Sequence, residues 1–138
     1  MRNMLLFLTL LGGCSVPTSR TYRIDASLVD HADVVVDGLS AWQALGMRFE
    51  LDDASSFVVR CATLDTEYAG FTDNTGIRVD CAWLESVGPD FQRELFMHEG
   101  GHATGLQHLS DVNSVMYPYI TDTKSFSALD VQEYHRTH

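Results

Sequence analysis

The segment from residue 98 to residue 108 constrains this chain more than any other. It reads HEGGHATGLQH, with histidines at positions 98, 102 and 108. In a helix, residues four apart lie on one face, so His98 and His102 can direct their imidazoles at the same metal ion. Gly105 predicts the end of that helix, because glycine adopts the left-handed conformation at little cost, and the chain can then bring His108 to the ion. Three imidazoles leave a fourth tetrahedral position open, which is typical of catalytic zinc, so the segment predicts a bound Zn²⁺.

The residues that follow His98 complete this motif. Glu99 lies next to a predicted ligand and can reach a metal-bound water without binding the metal itself. Gly100 and Gly101 then place two glycines inside the helix. Each glycine costs about 1 kcal/mol relative to alanine in a helix interior, so the pair predicts a loosened helix at the site.

The motif and the segments after it resemble the metzincin zinc proteases. Those enzymes carry a methionine on a tight turn beneath the metal, and residues 114–118, which read SVMYP, follow His108 by a short loop. The Met-Tyr-Pro order is similar to the matrixin branch, and residues 126–134 resemble the last helix of a matrixin domain. The resemblance is specific from His98 to about Tyr134, and before His98 it rests on the order of the elements.

The resemblance implies a zinc-dependent endopeptidase. Zn²⁺ on the three histidines would lower the pKa of its bound water, and Glu99 would take the proton as the water attacks a peptide carbonyl. Met116 would pack beneath the histidines without binding the metal, and Asp130 would support the turn from below. A non-catalytic zinc module that binds a peptide or protein stays open as the alternative, as does a zinc hydrolase with another substrate.

The matrixin resemblance also places the walls of a substrate pocket. Pro118, Tyr119 and Ile120 would form the outer wall of the pocket for the side chain just after the cut. Residues 68–72, interrupted by Gly70, would form an edge strand that pairs with an extended peptide. The alternative is an edge strand that pairs with nothing.

Glu94 is a further pocket candidate. It lies one helical turn before His98 and matches a matrixin position that shapes the depth of the main pocket. A carboxylate there would favour a basic residue just after the cut. The alternative is an ordinary surface glutamate.

The order of the predicted elements gives the fold class. A helical apolar stripe covers residues 27–45 and places Trp42 in the core, while Gly46 ends that helix. The predicted strands cover residues 21–25, 47–51, 57–61, 68–72 and 77–83. The metal-binding helix opens at Pro89, and a last helix follows the turn. This is the order of a minimal metzincin domain: an α/β fold of the α+β zincin type, with a mixed five-stranded sheet and three helices.

The first 13 residues resemble a lipoprotein signal peptide. Residues 4–11 are apolar but too few to span a bilayer. Residues 11–14 read LGGC and resemble a lipobox, in which Cys14 is lipidated and Ser15 directs sorting to the outer membrane. We therefore predict a signal at residues 1–13, a tether at 14–20 and the domain at 21–138, anchored to the bacterial cell envelope. An ordinary cleaved signal with an incidental Cys14 would instead give a secreted protein.

Charge and the two remaining cysteines limit the partners and the compartment. The formal net charge of −10 repels nucleic acid, so we do not expect that partner. The resemblance implies a peptide or protein substrate, and we expect a monomeric domain. Cys61 and Cys81 would meet an oxidising compartment after export, which favours a disulfide. Each ends a predicted strand, and the metzincin sheet makes those two strands neighbours. Free buried thiols are the alternative.

Overall fold

A computed structural model describes residues 18–65, 67–123 and 125–138. The predicted signal peptide, Cys14 and the start of the tether lie outside these residues. Within the described ranges, no helix is long and apolar enough to cross a bilayer.

A mixed five-stranded sheet forms the frame of the domain, as predicted. Its strands are β1 (Ser19–Ile24), β2 (Arg48–Leu51), β3 (Val58–Ala62), β4 (Gly70–Asp73) and β5 (Gly76–Asp80). They lie in the order β2-β1-β3-β5-β4. Strands β1, β2, β3 and β5 are parallel, while β4 runs antiparallel to β5 and forms one edge of the sheet.

The first strand begins earlier than predicted. Ser19 and Arg20, assigned to the tether, pair in register with Arg48 and Phe49 of β2. Strand β1 therefore begins two residues before the predicted strand, because pairing with β2 gives the backbone groups of Ser19 and Arg20 hydrogen-bond partners.

Four α-helices complete the described fold, one more than predicted. They are α1 (Ala32–Ser40), α2 (Cys81–Ser86), α3 (Pro89–Ala103) and α4 (Ala128–Thr137). The helix missed from sequence is α2, since residues 81–83 were predicted to continue β5. The Asp80 side chain accepts a hydrogen bond from the backbone N–H of Trp83, which caps a new helix and ends the strand.

The segment predicted as one helix at residues 27–45 is divided. Helix α1 is flanked by 3-10 turns at Ala26–His31 and Ala41–Leu45. Apolar spacings of three and four residues suit both helix types, so the stripe does not distinguish them. Gly46 ends the segment at a φ of 104°, as predicted, and Trp42 is fully buried.

Among the described residues, two apolar clusters include side chains of α3. The larger lies between the sheet, α1 and α3 and contains Tyr22, Leu28, Val35, Leu39, Phe57, Val59, Ile77, Val79, Leu84, Leu95, Phe96 and Ala103. The smaller contains Trp42, Met47, Met97, Leu106, Val115, Met116 and Tyr134. Because both clusters include side chains of α3, the helix that carries the predicted metal pair is fixed on two faces.

The predicted disulfide is present. Cys61 of β3 and Cys81 at the start of α2 are bridged, with their Cα atoms 5.4 Å apart. Strands β3 and β5 are neighbours, so the end of β5 delivers Cys81 to its partner. The bridge ties the sheet to the helix that precedes α3.

Candidate active site

Three histidine side chains converge at the end of α3. The Nε2 atom of His102 lies 3.1 Å from Nε2 of His98 and 3.1 Å from Nε2 of His108. The nitrogens all lie within 4.8 Å of one another, a grouping that can hold one metal ion. Gly105 has a φ of 94°, and this left-handed turn lets the chain reverse after α3 and return His108 to the other two.

Backbone carbonyls set the ring orientation of two of these histidines. Nδ1 of His98 lies 2.7 Å from the carbonyl oxygen of Val115, and Nδ1 of His102 lies 2.8 Å from that of Leu106. A carbonyl oxygen only accepts, so each Nδ1 must carry the proton. Each Nε2 is then left with its lone pair facing the other histidines, which is the arrangement that a metal ligand needs.

The electrostatic environment also favours uncharged imidazoles. Burial, together with the neighbouring His102 and His108, lowers the pKa of His98 to about 4. Burial likewise lowers the pKa of His102. Neutral imidazole is the form that binds a metal, so the three histidines fit Zn²⁺ as a donor set, and the tautomers and lowered pKa values of His98 and His102 fit it as well.

The turn beneath the histidines is held by Asp130, as the resemblance implied. One oxygen of this fully buried carboxylate accepts a hydrogen bond from the Ser114 hydroxyl, and the other accepts from the backbone N–H of Val115 at 3.0 Å. The second oxygen also accepts from the N–H of Ser127, which closes a capping box at the start of α4. Because the carbonyl of Val115 orients His98, Asp130 supports that ring through the turn.

Packing explains the two glycines that were predicted to loosen the helix. A Cβ on Gly100 would lie 2.8 Å from Nε1 of Trp42, which donates a hydrogen bond to the carbonyl of Met97. A Cβ on Gly101 would overlap Sδ of Met116 and lie 2.9 Å from Cζ2 of Trp42. The glycines let Trp42 and Met116 pack directly against the backbone of α3, so the helix is tightly packed at the site.

Glu99 is buried beside the histidines and faces the edge strand. Its side chain is 3 % exposed, and burial raises its pKa to about 7. The Thr72 hydroxyl donates to its Oε2 atom at 2.5 Å, which opposes that rise. On the other side, a Cβ on Gly70 would overlap the carboxylate, so only glycine lets β4 approach this closely.

A cleft of about 860 Å³ joins these groups. Its lining from the region of β4 is Glu67, Tyr68, Ala69, Gly70, Phe71 and Thr72, and from α3 and the segments after it Leu95, His98, Glu99, His102, Gln107, His108, Pro118, Tyr119 and Ile120. The structure thus brings the predicted ligands, Glu99 and four of the five predicted pocket residues to one cleft. Pro118 and Tyr119 are exposed on its rim.

The fifth predicted pocket residue, Glu94, does not line this cleft. It is 2 % exposed, and its two oxygens accept hydrogen bonds from the backbone N–H groups of Thr121 at 3.0 Å and Thr123 at 2.8 Å. Burial raises the pKa of Glu94 despite these bonds. The carboxylate is directed at the loop that follows Ile120 and not at the cleft, which removes the basis for predicting a basic residue after the cut.

Thr72 lies in the predicted edge strand, but its contact with Glu99 was not predicted from sequence. Alternate residues of a strand lie on one face, so Gly70 and Thr72 share the face of β4 that meets α3. That alternation was available from sequence. The pairing with Glu99 was not, because it depends on the position of β4 relative to α3.

The family of the chain follows from its sequence and agrees with this geometry. The model of the family described as Matrixin matches residues 22–136, so the chain belongs to the matrixin family. This membership, together with the three converging histidines, supports a zinc metallopeptidase. No curated protein matches the chain.

A solved structure shares the fold. The crystal structure of archaemetzincin from Methanopyrus kandleri is similar with a TM-score of 0.61 and 14 % sequence identity. The match covers 88 % of this chain and 98 % of that one. At this identity the likeness establishes the metzincin-like fold alone.

Proposed function

We propose that this protein is a zinc-dependent endopeptidase that hydrolyses peptide or protein substrates. The observation that carries the proposal is the placement of Glu99 in the cleft where the three Nε2 atoms converge, against an edge strand. Family membership supports the metallopeptidase class. The endopeptidase activity and the roles of the individual residues are our proposal.

Each group in the cleft has a chemical part in this proposal. Zn²⁺ held by His98, His102 and His108 would polarise both a water molecule and the peptide carbonyl. Glu99 is buried beside the histidines and lines the cleft, so its carboxylate is placed to accept a proton there and to release it again. It would take the proton of the attacking water on a carboxylate oxygen and deliver it to the departing amine.

The edge strand supports an extended substrate. Strand β4 pairs with β5 on one side only, so its other edge presents backbone N–H and C=O groups to the cleft. An extended peptide could pair there by strand addition, with Pro118, Tyr119 and Ile120 on the opposite wall. Strand addition can take any extended segment of a longer substrate chain, so this edge suits cleavage within a chain.

Glu99→Gln tests the proposal, because the change is nearly isosteric and Glu99 is assigned to proton transfer alone. The variant should keep one zinc per chain and a similar melting temperature, while peptide turnover falls by at least about 10²- to 10⁴-fold. His98→Ala is the matched comparison, and it should lose zinc as well as activity. The measurement is zinc stoichiometry beside turnover of a peptide library.

Two results would contradict this function. Near-wild-type turnover by Glu99→Gln would remove Glu99 from the mechanism. Absence of turnover by zinc-loaded wild type on broad peptide pools would favour the alternative, a non-catalytic zinc module that binds peptides in the same cleft.

We further propose that the protein is lipid-anchored to the bacterial cell envelope through Cys14, at the outer membrane. Support comes from the apolar run at residues 4–11 and from residues 11–15, which read LGGCS and resemble a lipobox with the outer-membrane sorting residue Ser15. Cys14→Ala should move the protein from the membrane to the soluble fraction. Mass spectrometry of wild type that finds an unmodified Cys14 would exclude the anchor.

A further inference from the structure

We infer that Thr72 is a positioning residue for the catalytic carboxylate of Glu99, and that strand β4 holds this carboxylate as well as the substrate. The inference rests on the proposed function and deepens it. It assigns to the edge strand a second task, which is separate from strand addition to a peptide.

The contact between the two residues is direct. The Thr72 hydroxyl lies 2.5 Å from Oε2 of Glu99 and 3.3 Å from the Glu99 carbonyl oxygen, so the carboxylate is the nearer acceptor. A hydrogen bond to an ionised carboxylate is stronger than one between neutral groups. In the described part of the chain, Thr72 is the side chain that donates to this carboxylate.

Gly70 restricts the other side of the same carboxylate. A Cβ at position 70 would overlap Oε1 of Glu99 and lie 2.8 Å from its Cδ. Residues 70 and 72 lie on one face of β4, and this face packs on α3. One carboxylate oxygen of Glu99 therefore accepts a hydrogen bond from the Thr72 hydroxyl. The other occupies the space where any residue but glycine at position 70 would place its Cβ.

This arrangement limits the freedom of a flexible side chain. A glutamate side chain loses rotamer entropy when it is fixed, and an acid–base group is effective only when its orientation is correct. Thr72 acts on this orientation through Glu99. Removing the hydroxyl should therefore lower kcat and leave KM nearly unchanged, since the backbone edge that would bind the peptide is intact.

Three variants of the full-length, zinc-loaded protein test the inference. Thr72→Val removes the hydroxyl at nearly constant volume, and Thr72→Ser keeps it. Thr75→Val is the matched control, because the Thr75 hydroxyl also donates to a carboxylate, that of Asp73 in the β4–β5 turn, without facing Glu99. We expect Thr72→Val to lower kcat about ten-fold or more, with KM within about two-fold of wild type. Thr72→Ser should recover most of the rate, and Thr75→Val should match wild type.

Several results would overturn the inference. An unchanged kcat in Thr72→Val would do so. A loss of kcat/KM that comes from a raised KM would also do so, because Thr72 would then act on the substrate. Equal losses in Thr72→Ser and Thr72→Val would show that the hydroxyl is not the cause.

A crystal structure of zinc-loaded Thr72→Val separates this inference from the proposed function. We expect the Glu99 carboxylate to leave β4 or to occupy more than one rotamer, whether or not wild type cleaves peptides. A single carboxylate position identical to that of wild type would refute the positioning role. If wild type does not cleave peptides but the Glu99 carboxylate is displaced in Thr72→Val, the proposed function would be contradicted and the positioning by Thr72 would stand.

Discussion

Gly101→Ala should destabilise the protein, although alanine is the better helix former. In an exposed helix interior the change would stabilise by about 1 kcal/mol. Here the new Cβ would overlap Sδ of Met116, a side chain that is fully buried, and would lie 2.9 Å from Cζ2 of Trp42. Overpacking of a tight core costs about 1–3 kcal/mol, and overlap with two buried side chains places this site at the upper end. The net result is a loss of about 1–2 kcal/mol in the free energy of unfolding.

Urea unfolding in the presence of a chelator measures this loss without a contribution from metal binding. With a slope of about 1–3 kcal/mol per molar urea, the midpoint should fall by roughly 1 M. Met116→Ala provides the matched background, because it removes the sulfur and methyl group that the new Cβ would meet. In that background the cost of Gly101→Ala should shrink by about 1 kcal/mol or more.

Two outcomes would refute the packing argument. One is a single variant that is more stable than wild type, which would mean that helix propensity outweighs the overlap. The other is an equal cost in both backgrounds, which would mean that Met116 is not the group that excludes a side chain at position 101.

Two further predictions concern the frame of the site. The Cys61→Ala/Cys81→Ala variant should lose about 3 kcal/mol of unfolding free energy, since the bridge closes a loop of sequence separation 20; free thiols in unreduced, denatured wild type would exclude the bridge. Glu94→Gln should leave the N–H of Thr121 or Thr123 without its acceptor, at a cost of about 1–3 kcal/mol. Hydrogen exchange at those amides should then quicken, and unchanged exchange would show that Glu94 does not hold the loop.

The metal motif could be predicted from sequence because its geometry is local. His98 and His102 are four residues apart in a helix, and a left-handed Gly105 returns His108 within one turn. The turn at residues 114–118 follows His108 by a short loop, so it could also be predicted from the sequence. The strand and helix patterns gave the order of the elements, with several boundaries a few residues off, and the metzincin resemblance implied the mixed sheet.

Other contacts around this motif depend on the tertiary structure and could not be predicted. Thr72 meets Glu99 across 27 residues of sequence, and Glu94 meets Thr121 across the same separation. Such pairings depend on how β4 and the loop after Ile120 lie against α3, and no periodicity within one segment encodes that. The double glycine shows the same limit. The low helix propensity of Gly100 and Gly101 predicts a weak helix. The space beside these glycines is filled by Trp42 and Met116, which come from other segments of the chain. The tight packing of the site therefore follows only from the assembled core.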